Sequence, residues 1–243
     1  MSLPDPAERI ALVIPAYNHP GQVSRVIDEA LALGWPVIVV DDGSTDRTRS
    51  LLASIRGIHT LRHPRNRGKG AALLTGMRAA AELADWAVTL DADGQHRPAD
   101  APSLVTAIDS GQRAIVVGNR QRMQGGGVPW TSSMGRRFSN LWVRTAGGPQ
   151  LADTQCGFRL YPLPETLDLP VRSRRFQFEV EVLVKAVWHG LPVKSAPVSV
   201  AYRPGGRRIS HFHPFIDFCR NFAVFTRLIF QRVVLSAERR KQI

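Results

Sequence analysis

Short apolar runs alternate with segments of helical periodicity through the first part of the chain. Runs at 10–14, 37–40 and 86–90 each predict a strand, and a weaker run at 58–61 predicts another. The run at 37–40 is continuously apolar, which is typical of a parallel strand covered on both faces. The repeated β-then-α order predicts an α/β fold with a doubly wound, mostly parallel, Rossmann-like sheet.

The second part of the chain adds two strands, a loop and a helix to this pattern. The runs at 114–117 and 193–202 predict strands, and the glycines at 125–127 predict a mobile loop. Apolar residues recur at helical spacing through 212–235, which predicts an amphipathic C-terminal helix. Its apolar stripe consists of Phe215, Phe218, Cys219, Phe222, Phe225, Thr226, Ile229 and Val233.

The stripe of the C-terminal helix has more than one interpretation. A helix that packs on its own domain, or against a second subunit, would show the same stripe. We favour contact with a membrane surface, because Arg220, Arg227 and Arg232 accompany the phenylalanines and a basic run follows at 239–241.

The run at 86–90 ends at two carboxylates one residue apart, Asp91 and Asp93, and Gln95 follows. Strand alternation puts Asp91 and Asp93 on the same side of the backbone, so both can face one cation. Hard oxygen ligands of this kind suit Mg²⁺ or Mn²⁺, which bind phosphates on their open side. Taken alone, the motif is more typical of a polar turn that ends a strand.

Tyr17, Asp42, Lys69 and Asp93 each follow a predicted strand or begin a predicted helix. A doubly wound sheet gathers such positions along the carboxyl edge of its strands. The glycine-flanked Lys69 begins a helix, and helix N-termini with a nearby cation are ready anion sites. Asp42 by itself is more typical of a cap or a turn. Together these residues predict an acidic, metal-capable cleft beside a basic helix start, which suits a nucleoside diphosphate.

Two common nucleotide-binding motifs do not fit the chain. A dinucleotide fingerprint requires G-x-G-x-x-G after the first strand, where the chain reads P-A-Y-N at 15–18. A P-loop requires G-x-x-x-x-G-K-[ST], and the G-K-G at 68–70 has neither that spacing nor the hydroxyl.

The net positive charge of the chain favours an anionic binding partner. Its 243 residues include 32 Lys and Arg against 20 Asp and Glu, a net charge of +12. That excess suits a nucleotide, a phospholipid surface or nucleic acid. The basic stretches lack interleaved aromatic residues, so we expect no nucleic-acid partner.

The termini and cysteines predict where the protein acts. Residues 1–9 lack the pattern of a signal peptide, and the chain has no run of about 18 uncharged apolar residues that would span a bilayer. The spacing of Cys156 and Cys219 predicts neither a disulfide framework nor a zinc site. We therefore expect a cytoplasmic protein that associates peripherally with the membrane.

Five ordered motifs resemble those of the family 2 glycosyltransferases of the GT-A fold. They are most similar to the branch of dolichol- and polyprenyl-phosphate sugar synthases, and the likeness extends over roughly 9–203. The motifs are I-P-A-Y-N at 14–18, V-D-D-G-S-T-D at 40–46, N-R-G-K-G-A-A at 66–72, L-D-A-D-G-Q-H at 90–96 and D-T-Q-C-G-F-R at 153–159.

This resemblance implies an inverting, metal-dependent transfer of a sugar from a nucleotide-diphosphate sugar to a lipid-type acceptor. The acceptor that it favours is polyprenyl phosphate. A divalent cation suits that chemistry because the leaving nucleoside diphosphate gains negative charge as the glycosidic bond breaks. Transfer to a hydroxyl of a lipid, polyene or glycan is the alternative reaction. A nucleotide or nucleic-acid binding module without catalysis is the alternative outside the enzymes.

The resemblance also implies roles for residues around the donor. In relatives, the matching residues hold the base and ribose of the nucleotide sugar, lie near its phosphates, or position Mg²⁺ or Mn²⁺ on the diphosphate. The first group comprises Pro15, Ala16, Tyr17 and Asp42, the second is Lys69, and the metal group comprises Asp91, Asp93 and Gln95.

Arginines are the residues that the resemblance implies for the acceptor phosphate. Arg120 and Arg137 are the main candidates, since an arginine fork matches phosphate oxygens in a bidentate manner. Arg208 is a further candidate, because a basic residue of that segment closes over the phosphates in relatives. For Arg136 we prefer a simpler interpretation, in which it is a solvent-exposed residue on the polar face of a helix.

Acidic residues of the second half have open roles. Asp153 is either a general base for a hydroxyl acceptor or a structural acceptor of hydrogen bonds, because a phosphate acceptor needs no base. Glu179 and Glu181 align with an acidic pair of the family. Apart from the resemblance, they have the character of ordinary surface glutamates.

The predicted organisation is a GT-A transferase domain at 1–209 followed by a basic amphipathic helix at 210–243. Within the domain we expect a nucleotide-sugar half at about 9–118 and an acceptor half at about 119–209.

Overall fold

The structure is a computed structural model that describes residues 9–124, 130–201 and 214–240. Its strands are β1 Ile10–Ala16, β2 Val37–Asp41, β3 Ile58–Arg62, β4 Trp86–Thr89, β5 Ile115–Gln124, β6 Arg159–Pro162 and β7 Val193–Ala201. Its helices are α1 Val23–Leu31, α2 Thr48–Ser54, α3 Lys69–Ala81, α4 Ala101–Val105, α5 Trp130–Thr145, α6 Glu165–Asp168, α7 Phe178–Trp188, α8 Pro214–Val234 and α9 Ala237–Arg240.

The described strands form one seven-stranded sheet in the order β3-β2-β1-β4-β6-β5-β7. The pairs β1–β2, β1–β4, β2–β3 and β5–β7 are parallel, whereas β6 runs antiparallel to β4 and β5. The predicted α/β class with a mostly parallel sheet is therefore confirmed.

Burial explains why the strand sequences are so apolar. Every residue of β2 and β4 is buried, and Leu12, Ile38 and Val88 have no exposed surface. Parallel strands covered on both faces have no polar side to present, so their runs are continuous rather than alternating. Helices α1 and α3 supply apolar residues such as Ile27 and Met77 to the same core.

The order of the central strands decides where a ligand can bind. β1 pairs with both β2 and β4, so the loops that follow these three strands leave the sheet along one carboxyl edge. Backbone bonds extend this edge, since Asp42 N donates to Ala16 O at 2.8 Å and Leu90 N donates to Val13 O at 3.2 Å. The polar motifs after β1, β2 and β4 are thereby neighbours.

Strand β5 is longer than the run at 114–117 predicts. It continues to Gln124 by pairing with β7 as far as Ala201, with a register irregularity between Asn119 and Arg122. Arg120 therefore lies within a strand, not after one. The polar stretch has no apolar period, and it is extended because β7 provides a ladder of backbone partners.

Helix α8 packs on the domain through Phe225 of its predicted stripe and through Leu228, which the predicted stripe does not include. Both are buried in a second apolar cluster that includes Val143, Val184 and Trp188. This cluster joins α8 to α5 and α7.

Other apolar residues of α8 are exposed, although the Phe222 ring contacts Trp142 at the border of that cluster. Phe230 is 65% exposed and Val233 is 78% exposed, and Phe222 is also exposed. The side chains of Phe215, Phe218 and Cys219 lie outside those that the structure describes. The amphipathic character of the helix therefore stays a prediction, as does the domain boundary at 209. Across 9–124, 130–201 and 214–240, none of the helices has the length and hydropathy needed to traverse a bilayer.

Gly76 allows helix α3 to approach the sheet closely. A Cβ at this position would overlap the Val13 side chain of β1 and lie 3.1 Å from Val40 Cγ2 of β2. We expect Gly76→Ala to lower the free energy of unfolding by about 1–3 kcal/mol, measured by urea denaturation. In the matched variant Gly135→Ala of helix α5, a Cβ would meet nothing within 4 Å, so a gain of up to about 1 kcal/mol is expected. Equal gains for both variants would contradict this packing.

Candidate active site

The loops that follow β1 and β2 are bound to each other by side chains. Asn18 N donates to Ser44 Oγ at 3.0 Å, and His19 N donates to Thr48 Oγ1 at 2.9 Å. Asn18 Oδ1 in turn accepts from Thr45 N at 2.9 Å. Asn18 has a φ of 52°, a left-handed conformation that asparagine tolerates better than most residues. These bonds fix the shape of the rim next to the ends of both strands.

The structure brings the residues predicted to hold the base and ribose to this rim. Pro15 and Ala16 are the last residues of β1, and the half-buried Tyr17 follows them. Asp42 is the first residue after β2 and is bonded to the end of β1 through its backbone N–H. Their roles toward a nucleotide stay predictions.

The carboxylate of Asp42 is occupied by the protein itself. It accepts from Arg67 N at 2.9 Å and from Gly68 N at 2.8 Å, and the His63 ring Nδ1 lies 2.6 Å from Oδ1. Asp42 is buried, and both of its oxygens hold the loop that leads into α3. Its clearest function in the structure is to position the N-terminus of that helix.

Asp91 and Asp93 follow β4 at the same edge, and the two have different surroundings. Lys69 Nζ, from the first residue of α3, lies 2.7 Å from Asp91 Oδ1 and 3.0 Å from Oδ2. The same Nζ lies 2.6 Å from Glu179 Oε1 of α7. Asp93 Oδ1 accepts from Gln95 N at 3.0 Å, which folds the turn after the strand. The part of the chain that the structure describes contains no cluster of three or more His, Cys, Asp or Glu side chains suited to a metal.

Burial and charge separate the two aspartates further. Burial raises the pKa of Asp93, and the neighbouring Asp91 raises it again. Burial also acts to raise the pKa of Asp91, but Lys69 outweighs it, so that pKa lies below its ordinary value. For Lys69, burial lowers the pKa and the carboxylates of Asp91 and Glu179 raise it by more, so the ammonium stays charged. Asp91 thus has a cationic partner.

The segment at 153–159 encloses this cluster from the side of β6. Arg159 is completely buried and donates to Cys156 O at 2.6 Å, Thr154 O at 3.0 Å and Glu179 O at 2.7 Å. Thr89 Oγ1 of β4 donates to Gly157 O at 2.9 Å. These bonds hold the segment against α7 and beside the carboxyl end of β4.

Asp153, at the start of that segment, is only 2% exposed. Arg120 donates to it through Nε and through Nη2, the latter at 2.9 Å, and Gln155 N donates at 3.2 Å. Arg136 Nη1 lies 3.9 Å from Asp153 Oδ2. One carboxylate therefore faces two guanidinium groups.

The interpretation of Arg136 as a residue that solvates a helix face is corrected by this contact. Its side chain is only 18% exposed and points toward Asp153. Arg137 is exposed and lines a separate cavity of about 260 Å³. Arg120 is not among the residues that line this cavity, which are Arg137, Asn140, Leu141, Arg144, Gln150 and Leu151.

Two predictions fall on residues that the structure does not describe. Arg208 lies in 202–213, and the predicted loop at 125–127 lies in 125–129, both outside the described residues. Their roles stay predictions.

Glu179 and Glu181 are buried, so their description as ordinary surface glutamates is wrong. Glu179 is 8% exposed and pairs with Lys69, as given above, and Glu181 has no exposed surface. Glu181 accepts from Ser173 N at 2.8 Å and from Arg227 Nη2 of α8 at 2.6 Å. The remaining residues of α7 are mostly apolar. Charged residues within an otherwise apolar helix indicate buried ionic groups, and this pattern is the sequence signal for the burial of Glu179 and Glu181.

Known proteins resemble the chain both in sequence and in fold. A family model described as "Glycosyl transferase family 2" matches residues 11–163. The UDP-N-acetylglucosamine--dolichyl-phosphate N-acetylglucosaminyltransferase of Methanococcus voltae is 29% identical over 215 residues, covering 79% of this chain and 86% of the relative. The polyprenol monophosphomannose synthase of Mycolicibacterium smegmatis is 30% identical over 222 residues, covering 83% and 80%.

Solved structures share the fold at lower identity. Mannosyl-3-phosphoglycerate synthase from Rubrobacter xylanophilus superposes with a TM-score of 0.64 at 20% identity, covering 93% of this chain and 74% of that one. S. aureus TarS 1-349 in complex with UDP-GlcNAc superposes with a TM-score of 0.59 at 16% identity, covering 96% and 69%.

Proposed function

The chain belongs to glycosyl transferase family 2, and from that membership we propose that it transfers a sugar from a nucleotide-diphosphate sugar to a polyprenyl phosphate. We propose further that the reaction inverts the anomeric carbon and requires Mg²⁺ or Mn²⁺. The observation that carries the proposal is the 2.7 Å contact between Lys69, the first residue of α3, and Asp91, which follows β4 two residues before Asp93. Such an edge of a parallel sheet is where α/β proteins bind their ligands.

The donor half of the proposal is supported by the shape and charge of this edge. Pro15, Ala16, Tyr17 and Asp42 border it, and Lys69 offers a cation for the diphosphate. One fold neighbour is named as a complex with UDP-GlcNAc, which supports a nucleotide-sugar donor of the same chemical class here.

The residues at the end of β4 fit a divalent cation. Asp91, Asp93 and Gln95 would hold it through side-chain oxygens, the donor type that Mg²⁺ and Mn²⁺ prefer. Lys69 pairs with both Asp91 and Glu179, so these three side chains together with Asp93 have a net charge of −2, equal in size to the charge of one such ion. When bound, the ion would neutralise charge on the departing diphosphate.

The acceptor half of the proposal is supported by the arginines around Asp153. Two guanidinium groups on one carboxylate leave a positive charge in excess, which suits an anionic acceptor. One relative is named a dolichyl-phosphate N-acetylglucosaminyltransferase and another a polyprenol monophosphomannose synthase, which supports an acceptor of this class. We propose Arg120 as the main phosphate contact, aided by Arg136, with Arg137 and Arg208 as further contacts.

The contacts of Asp153 support a structural role for it. Its oxygens are engaged by Arg120 and Gln155, and a base must have an open lone pair toward the proton that it removes. A phosphate oxygen is already an anionic nucleophile and needs no such base. A phosphate acceptor and a structural Asp153 are thus mutually consistent.

The reaction is tested with a panel of nucleotide sugars, a short polyprenyl phosphate and detergent. We expect one donor to yield a lipid-linked sugar with Mn²⁺ or Mg²⁺, and EDTA to abolish the product. The anomeric configuration of the product, read by NMR, is expected to be opposite to that of the donor. Product that persists in EDTA, or a retained configuration, would overturn the corresponding part of the proposal.

We further propose that the protein, a transferase domain at 1–209 with a C-terminal helix at 210–243, meets its acceptor at a membrane surface. Phe222, Phe230 and Val233 of α8 are exposed, and so is Leu141 of α5. Arg232 of the same helix is also exposed, and although its Nη1 donates to Thr145 O, its positive charge suits anionic head groups. Apolar side chains with flanking arginines are typical of helices that lie in the interface.

The double variant Phe230→Asp/Val233→Asp tests this surface. We expect its affinity for vesicles of phosphatidylglycerol and phosphatidylcholine to fall at least about tenfold, because two apolar anchors become charged. Leu83→Asp is the control, since Leu83 is an exposed apolar residue that follows α3. Cosedimentation measures the binding. Equal losses in both variants, or no loss in the double variant, would rule out α8 as the contact.

A further inference from the structure

Lys69 occupies a position where a cation is unfavourable for the helix itself. It is the first residue of α3, and the N-terminus of a helix carries a partial positive charge. Two carboxylates outweigh this repulsion, since Asp91 and Glu179 each approach Nζ within 2.7 Å. The lysine side chain is mostly buried between them. The two carboxylates, and not the helix, therefore hold the ammonium at this position.

Gly157 lies directly against the side chains of Lys69, Asp91 and Glu179. A Cβ at this position would lie 2.7 Å from Lys69 Nζ, 2.9 Å from Asp91 Oδ2 and 2.9 Å from Glu179 Oε1. A side chain at this position would require the ends of Lys69, Asp91 and Glu179 to shift. The main chain at Gly157 is itself held by Thr89, so the space around Nζ is bounded.

The position of Lys69 has a consequence for the residues that would hold a metal. Both oxygens of Asp91 are within 3.0 Å of the ammonium, so a divalent cation and Lys69 compete for the same carboxylate. Glu179 does not belong to the β4 motif, and it binds the same ammonium from the other side. Lys69 can therefore release Asp91 without losing its last counter-charge.

We propose that Lys69 is a place-holder cation, which neutralises Asp91 while no metal is bound and is retained by Glu179 when a metal takes Asp91. This inference rests on the proposed function for the identity of the ligand, a divalent cation carried with a nucleoside diphosphate. Once the metal has displaced Lys69 from Asp91, the ammonium would be free to attract the phosphates of the nucleotide. Metal and nucleotide would therefore bind cooperatively. Lys69 weakens the binding of metal alone because it competes for Asp91. The coupling between metal and nucleotide is reciprocal, so each raises the affinity for the other by the same factor. Glu179 is the positioning residue of this exchange.

The test is the affinity of the full-length protein for Mn²⁺ alone, measured by electron paramagnetic resonance without donor or acceptor. We expect Lys69→Met to bind Mn²⁺ at least about tenfold more tightly than the wild type, because the competing charge is gone. Glu179→Gln is expected to bind at least about threefold more weakly, because Lys69 then depends on Asp91 alone. UDP and GDP should each increase Mn²⁺ affinity less in Lys69→Met than in the wild type.

The opposite signs of the two variants separate this role from a structural one. If Lys69 only supports the fold, both variants weaken Mn²⁺ binding, and that result overturns the proposal. Lys194→Met is the matched control, because Lys194 pairs with Asp109 at 2.6 Å on the edge strand β7. Its Mn²⁺ affinity is expected to equal that of the wild type.

The result is independent of sugar transfer. Tighter Mn²⁺ binding in Lys69→Met would stand even if no donor gave a lipid-linked product, in which case the proposed function fails alone. Transfer with unchanged or weaker Mn²⁺ binding in Lys69→Met would overturn the place-holder role alone. Thermal melting of each variant confirms that folded protein is compared.

Discussion

Asp93→Asn is expected to reduce sugar transfer by about 10²–10³-fold, because Asp93 would hold the cation that stabilises the leaving diphosphate. Asparagine keeps an oxygen that can accept from Gln95 N, so the turn after β4 retains its hydrogen bond. The change removes a negative charge and little else. Steady-state rates with the accepted donor and a polyprenyl phosphate measure the effect.

The same substitution is expected to leave stability unchanged or to increase it at neutral pH. Burial and the neighbouring Asp91 raise the pKa of Asp93 above its ordinary value, so ionised Asp93 opposes folding. This penalty is absent below the ordinary pKa of an Asp carboxyl, grows as pH rises toward the raised pKa, and is complete above it. The neutral amide avoids the penalty, as measured by urea denaturation at neutral pH.

Asp28→Asn is the control for this prediction. Asp28 is an exposed carboxylate on α1, and its loss removes the same charge away from the β4 turn. Its activity is expected to equal that of the wild type. Asp93→Asn with near-normal turnover, or with a large loss of stability, would contradict the assignment of Asp93 to the metal.

Asp153→Asn is expected to lower the free energy of unfolding by about 3 kcal/mol, because Arg120 and Arg136 would lose their buried counter-charge. An amide can still accept one hydrogen bond, so the loss comes mainly from two guanidinium groups left uncompensated. Asp109→Asn provides the comparison, since Asp109 forms an exposed ion pair with Lys194 that is worth less than about 1 kcal/mol.

The effect of Asp153→Asn on rate separates the two roles of this residue. A structural Asp153 predicts that the folded fraction keeps kcat within about tenfold of the wild type, whereas loss of a general base costs about 10²–10⁴-fold. Rates are measured well below the unfolding temperature of the variant. A large loss of kcat with little loss of stability would reverse the assignment and favour a hydroxyl acceptor.

The central part of the fold is predictable because its signals are local. β1, β2 and β4 are covered on both faces, so their apolar runs mark them directly in the sequence. Once the β-then-α order is recognised, the carboxyl edge follows, and with it the meeting of Asp91 with Lys69. Family motifs point to the same edge, which makes this the best-determined part of the site.

Other parts of the fold and of the site depend on contacts between residues that are distant in the sequence, so no local pattern predicts them. The extension of β5 comes from pairing with β7, which is distant in sequence. The polar residues in this part of β5 do not show the alternation of apolar and polar positions that identifies a strand. Arg136 and Arg137 are adjacent and chemically identical, yet only the packing of α5 decides which one turns toward Asp153. The burial of Glu179 and Glu181 likewise depends on tertiary packing, since Glu179 contacts Lys69 of α3 and Glu181 contacts Arg227 of α8.

The most direct test of the account compares two acceptors that differ only in the phosphate. Sugar transfer is measured with a polyprenyl phosphate and with the polyprenol of the same length, using the accepted donor and Mn²⁺. Metal-dependent product is expected with the phosphate and none above background with the alcohol, because Arg120 and its neighbours would bind an anion and Asp153 would supply no base. Transfer to the alcohol at an equal or higher rate would contradict this expectation.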